Sequence, residues 1–143
     1  MERIKITLPE TFPFTTSIAI SITDLNYGGH VGNDSFLSLI HEARQQFLQH
    51  YQYSEISFAG VGLIMADAAI EFKKELNYGD ILKISVVATH FDRLGFDIYY
   101  QLEVDVAGKN ILAGKAKTGM MCFDYTLKKK VPVPAEAIKT LSY

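Results

Sequence analysis

From Asp24 the chain reads DLNYGGHVGNDSFLSLIHEARQQFLQH, so that Asp24, Asn26, His30, Asn33, Asp34 and three glycines fall within eleven positions, immediately before an amphipathic segment. The first amides of a helix have no partner inside it, and the helix dipole favours negative charge at that end. Gly28, Gly29 and Gly32 place no side chain in the way of a group approaching those amides. The loop is thus suited to holding negative charge and moving protons. Three carboxylates are candidates for a general base. Asp34 sits in the first helical turn, where the dipole keeps it ionised; Asp67 interrupts the apolar run GLIMADAAI, where desolvation is expected to raise its pKa toward the useful range. Glu42, two helical turns beyond Asp34, reads as a surface or structural partner. Each residue also has a plainer reading: the loop as a tight connection with His30 exposed, Asn33 or Asp34 as a helix cap, and Asp67 as a polar residue satisfied at a subunit interface.

The elements that must position these residues follow from apolar spacing. FTTSIAISI, from Phe14 to Ile22, is rich in β-branched residues and predicts a strand. Phe36, Ile40, Ala43 and Phe47 recur at helical spacing, which predicts a helix over 34–50. VGLIMADAAIEFKKEL, over 61–76, is apolar on both parities at first, as expected of a strand covered on two faces. NYGD marks a turn, and ILKISVVATHF a further strand. Phe96, Ile98, Tyr100, Leu102, Val104 and Val106 alternate with more polar residues, the signature of a half-exposed strand. A hairpin turn at AGKN leads into a last long strand over 111–123. One helix against an antiparallel sheet is an α+β layer, and its uncovered apolar strand predicts self-association.

A chain of 143 residues with 48% apolar and 21% charged residues has the makeup of one ordinary globular domain. The formal net charge of -2 gives no electrostatic reason to expect nucleic acid or an anionic membrane as partner. Lys128–Lys130, the only basic run, reads as a solvated turn. No apolar stretch reaches membrane-spanning length, and the first residues lack the pattern of a secretory signal. Cys122, the single cysteine, excludes an internal disulfide and reads as a buried thiol, so a cytoplasmic location is expected. No histidine and cysteine spacing suggests a metal site, and no cofactor is implied.

The order of elements and the loop resemble the hotdog-fold thioesterases, in the branch that includes 4-hydroxybenzoyl-CoA thioesterase and its acyl-CoA relatives. That branch carries an Asp-x-Asp-x-x-Gly-His-Val-Asn-Asn loop leading into a helix. The matching residues are Asp24, Leu25, Asn26, Tyr27 and Gly28, then Gly29, His30, Val31, Gly32 and Asn33, followed by Phe36 and by Glu42, Ala43 and Arg44. LNYGDILKISVVATHFDRLGFDIYYQL and AKTGMMCFDYTLKKKVPVP are similar to the family's middle strand pair and its last strand. The chain departs from the motif at Asn26, which stands where many members have the catalytic aspartate; an amide cannot act as nucleophile or base at neutral pH.

The resemblance implies a single hotdog domain over residues 1–143, an antiparallel sheet wrapped around one long helix. It implies acyl-CoA thioester hydrolysis by a homodimer or homotetramer, with the site between subunits. The carbonyl would be held at amides beside Gly29, with Asp34 or Asp67 activating water and Asn26 and His30 orienting water or thioester. Tyr27, Phe36 and Met65 would line the acyl pocket. Arg93, beside Gly95, would meet the nucleotide phosphates, with Lys115 and Lys117 as possible helpers. An acyl-carrier-protein thioesterase, a dehydratase of the same fold and a non-catalytic acyl-CoA binding protein stay open as alternatives, the last because of Asn26.

Overall fold

The computed structural model describes residues 1–143. Six strands form one antiparallel sheet: β1 (Phe14–Ala19), β2 (Gly62–Phe72), β3 (Ile81–Thr89), β4 (Gly95–Val106), β5 (Lys109–Asp124) and the short β6 (Lys129–Lys130). The spatial order is β1-β3-β4-β5-β2, with β6 beside the end of β5. β3, β4 and β5 form a meander of successive hairpins, and β1 and β2 take the two edges. The β4–β5 turn is two residues, Ala107 and Gly108, both left-handed at φ of 54° and 83°. That backbone matches the twist of the flanking strands and fixes their register.

One long helix, α1 (Asn33–His50), crosses the inner face of the sheet. Phe36, Leu39, Ile40, Ala43, Phe47 and Leu48 form its buried face, the stripe that helical spacing predicts. They pack with the inward residues of β4, Phe96, Ile98, Tyr100, Leu102 and Val104, all buried. Phe47 is fully enclosed, and cutting it back to Ala would cost about 3–5 kcal/mol. A second short helix, α2 (Ala135–Leu141), follows Pro134 and buries Ala137 and Leu141.

Strand β2 explains the mixed apolar pattern differently from the sequence reading. It is an edge strand, not one covered on both faces, and its pairing with β5 shifts register between Met65 and Asp67. Ala66 is the extra residue of a β-bulge. Leu63 and Met65 on one side of it, and Ala68 and Ile70 on the other, pair with the inward-facing Cys122, Met120, Thr118 and Ala116. The bulge moves the inward positions from odd to even residues. Asp67, on the opposite parity, faces outward.

The segment before β1 straps across the outer face. The Ile6 amide donates to Glu71 Oε2 at 2.6 Å, and Lys115 Nζ donates to the Ile6 carbonyl at 3.2 Å. Ile6 itself is buried.

Candidate active site

β1 ends at Ala19, three residues earlier than its composition predicts, and the chain turns through a short 3₁₀ segment at Ile22–Asp24. The Asp24 carboxylate accepts from the amide and hydroxyl of Ser21, at 2.8 and 3.0 Å, and so fixes this turn. Beyond it the loop closes on Asn26. The Asn26 amide donates to the His30 carbonyl at 2.8 Å, the Gly29 amide to the Asn26 carbonyl at 3.1 Å, and the Gly28 amide to Asn26 Oδ1 at 2.9 Å. Gly29 has φ of 83°, a conformation strained for any residue with a β-carbon.

This arrangement corrects the expectation at Gly29: its amide is engaged inside the loop and is not open to a ligand. The open donors lie one turn further on. Gly32 is the N-cap of α1 and has no side chain with which to cap, correcting the assignment of Asn33 or Asp34 to that role. The first intrahelical bond is Phe36 amide to Gly32 carbonyl at 3.2 Å, so the amides of Asn33, Asp34 and Ser35 have no protein acceptor. The Asp34 carboxylate folds back over Gly32; a β-carbon on Gly32 would sit 2.5 Å from Asp34 Oδ1 and 3.7 Å from Asn26 Cβ. Asn26 and Asp34 thus flank the same glycine at the mouth of the helix. Asn26 contributes its carbonyl oxygen to the loop and keeps its Nδ2 donors available.

A cleft of about 250 Å³ opens beside this end of α1, lined by Val31, Asn33, Phe36, Phe72, Lys73, Lys74 and Glu75. The Phe36 and Phe72 rings meet edge to face at 5.0 Å and form its apolar side. Phe36 therefore lines this cleft. Tyr27 is not among its lining residues, and its side chain is fully exposed. His30 is tied to the segment after β2, with Nδ1 3.1 Å from Asn77 Oδ1 and Nε2 3.5 Å from Glu75. The backbone locks the same two segments together through the Val31 amide and the Leu76 carbonyl, 3.0 Å apart.

Asp67 stands apart from this group within the chain. It lines a different cavity, of about 590 Å³, on the outer side of the sheet, with His90, Arg93, Asp97, Lys117 and Gly119. Its Oδ1 accepts from Lys117 Nζ and from the Gly119 amide, both at 2.9 Å. The expected rise in its pKa is reversed: the Lys117 hydrogen bond, with the Gly119 amide adding to it, holds the carboxyl below its ordinary value against the opposing effect of desolvation. The apolar neighbours that suggested desolvation lie on the other face, because the bulge at Ala66 turns Asp67 outward. Lys117 is shared with Asp97 at 3.1 Å, so it is not a free cation for phosphate. Lys115 is held by the Ile6 carbonyl. Arg93 is exposed and pairs with no carboxylate.

Sequence reasoning did not single out Glu75 or Asn77. Asn77 was read only as part of a turn, and the pairing with His30 spans 47 positions, beyond the reach of local spacing.

An antiparallel sheet curved around one central helix, with a glycine-rich loop delivering open amides at that helix's start, is the hotdog architecture. The chain belongs to the thioesterase-like superfamily, whose family model matches residues 20–141. It is 27% identical over 127 residues to a 1,4-dihydroxy-2-naphthoyl-CoA hydrolase from Microcystis aeruginosa, covering 87% of this chain and 89% of the relative. The solved structure of a 1,4-dihydroxy-2-naphthoyl-CoA thioesterase from Synechocystis superposes with a TM-score of 0.77 at 26% identity, covering 90% of this chain and 94% of that one. An Asp-to-Asn variant of 4-hydroxybenzoyl-CoA thioesterase, solved with 4-hydroxybenzoyl-CoA, superposes with a TM-score of 0.81 at 18% identity, covering 90% and 98%. No helix is long and apolar enough to cross a membrane.

Proposed function

We propose that this chain hydrolyses an acyl-CoA thioester to the free acid and CoA. The observation that supports the reading best is the uncapped start of α1. Three unpartnered amides, Asn33 to Ser35, open beside the Asp34 carboxylate and an aromatic-sided cleft. A thioester carbonyl at that helix end develops negative charge as water attacks, and the amides and dipole favour that charge. Asp34 takes a proton from the attacking water as the oxygen bonds to the carbonyl carbon. Collapse of the adduct breaks the carbon–sulfur bond, and the proton goes to the departing thiolate. We assign Asp34 rather than Asp67 to this step, because the pairing of Asp67 with Lys117 weakens it as a base. Asn26, through Nδ2, orients water or the carbonyl, and His30 stands at the loop's other side. The CoA relatives described above favour this substrate class.

The acting unit in this proposal is a homo-oligomer. β2 is an eleven-residue edge strand carrying Leu63, Ile64, Met65 and Ala68, and its outer edge has no neighbour in the chain. Bare edges of this kind are satisfied by a second strand. Such pairing gives Arg93 of one chain a route to phosphates of a ligand held by the other.

The test is thiol release from a panel of acyl-CoAs, aliphatic and aromatic, by the wild type and by Asp34→Asn. Turnover that drops about 100-fold in the variant fits a general base at this position. A second reading, a non-catalytic acyl-CoA binding protein, is favoured by Asn26 alone. It predicts a raised melting temperature with acyl-CoA and no thiol released.

A further inference from the structure

We propose that Phe72 is the end wall of the cleft at the start of α1 and limits the acyl group to a short chain. The inference rests on the hydrolytic reading, in which the carbonyl sits at the amides of Asn33 to Ser35 and the acyl group enters the cleft beside them. At about 250 Å³ that cleft is smaller than the pockets of roughly 300–1,000 Å³ that enclose drug-sized ligands. A second cavity, of about 570 Å³, lies between the end of β2 and the residues from Glu2 to Lys5 of the segment before β1. Phe72 and Lys73 line both spaces, so their side chains form the partition.

Of the two, Phe72 supplies the apolar wall. Lys73 Nζ is drawn to Glu71 Oε1, 3.3 Å away. The Phe72 ring instead meets Phe36 edge to face, with 87° between the planes. Phe36 is buried in the core, whereas Phe72 is half exposed and forms the outer member of the pair. Its backbone is held in place: Phe72 pairs with Gly114 of β5, and the amides of Lys73 and Lys74 both donate to the Ala113 carbonyl, at 2.9 and 3.1 Å. The ring is thus presented from a fixed strand end.

The preferred chain length follows from what lies on either side of that ring. A short acyl chain is covered inside the cleft by Val31, Phe36 and Phe72. Further methylenes meet the Phe72 ring and stay in water, so they add no apolar burial. Beyond the ring, Ile4 and Ile70 offer apolar surface that a longer chain reaches only when the ring is removed.

The test is kcat/KM for thiol release from straight-chain acyl-CoAs, acetyl to palmitoyl, by the wild type and by Phe72→Ala, Phe72→Leu and Lys73→Ala. The wild type is expected to be most active on acetyl- to hexanoyl-CoA and about tenfold or more weaker on dodecanoyl-CoA. Phe72→Ala should gain at least about tenfold on dodecanoyl-CoA, through KM, and stay within about threefold of wild type on butyryl-CoA. Phe72→Leu keeps more of the packing with Phe36, so it should shift the profile in the same direction by a smaller step, and it carries the test should Phe72→Ala not fold. Lys73→Ala should keep the wild-type profile. A wild type that prefers palmitoyl-CoA, a profile unmoved by the Phe72 variants, or the same shift in Lys73→Ala overturns the inference. Absence of thiol release from every acyl-CoA overturns the hydrolytic reading instead; the rise in melting temperature across the same chain lengths then decides whether Phe72 is the wall.

Discussion

The Asp34 carboxylate occupies the space that a side chain on Gly32 would need: the β-carbon of any other residue there would stand 2.5 Å from Asp34 Oδ1. Glycine at the N-cap thus serves the position of a neighbouring carboxylate. The φ of -68° at Gly32 is open to every residue, so backbone freedom is not the reason for it.

Gly32→Ala is accordingly expected to fold, with a stability loss of about 1 kcal/mol or less by urea denaturation, because only a short side chain has to turn away. Thioester cleavage in the same variant should fall at least about tenfold, since a displaced base loses alignment with its water. A rate equal to wild type would separate Asp34 from the chemistry.

Asp67 gives a dependence of stability on pH. Its pKa lies below the ordinary 3.8 in the folded chain because of Lys117 and the Gly119 amide. A lowered native pKa contributes stability that is full above the unfolded value and is lost as pH falls through the native one. The difference in melting temperature between wild type and Asp67→Asn should therefore be present at about pH 6 and shrink toward zero below about pH 3. Thioester cleavage by Asp67→Asn should stay within about threefold of wild type, as expected for an exposed ion pair.

Arg44 is buried, with Nε 2.9 Å from Glu55 Oε1 and Nη1 3.3 Å from the Tyr100 hydroxyl, which in turn lies 2.8 Å from Thr118 Oγ1. Removing one member leaves the buried Arg44 and Tyr100 short of a partner. Glu55→Ala should destabilise by about 3 kcal/mol, because it leaves the guanidinium without its counter-charge. Tyr100→Phe should cost about 1–2 kcal/mol. Chemical denaturation of both variants measures the difference; equal losses would mean that Glu55 contributes no charge compensation.

Cys122 is enclosed, and burial pushes its thiol up to about 11. A disulfide reagent at pH 8 should modify it only on the timescale of unfolding, because the reactive species is an exposed thiolate. Rapid labelling of the folded protein would place this strand end in solvent.

The β3–β5 meander and the long helix were legible in the sequence because each rests on a local period. The strict alternation of β4 and the Phe36, Ile40, Ala43, Phe47 stripe are of this kind. Asp67 was misread for a definite reason: one inserted residue, Ala66, reverses which side of β2 looks inward, and periodicity on either side of a bulge gives no sign of the reversal. The cap of α1 was displaced by one or two positions because the sequence offers polar capping residues at 33 and 34, whereas the chain uses Gly32 and turns Asp34 elsewhere. The bond between His30 and Asn77 joins two turns at opposite ends of an excursion through α1 and β2, and no spacing rule reaches that far.

Glu71 and Lys115 grip the main chain of Ile6 as a neighbouring strand would, one accepting and one donating. Residues before β1 therefore roof the area around Ala69, Tyr99 and Lys117. A second molecule can dock on that part of the sheet only after peeling this cover away, whereas the flank of β2 stands open to it. The two surfaces thus differ in accessibility before any partner arrives, and assembly at the flank has the shorter route.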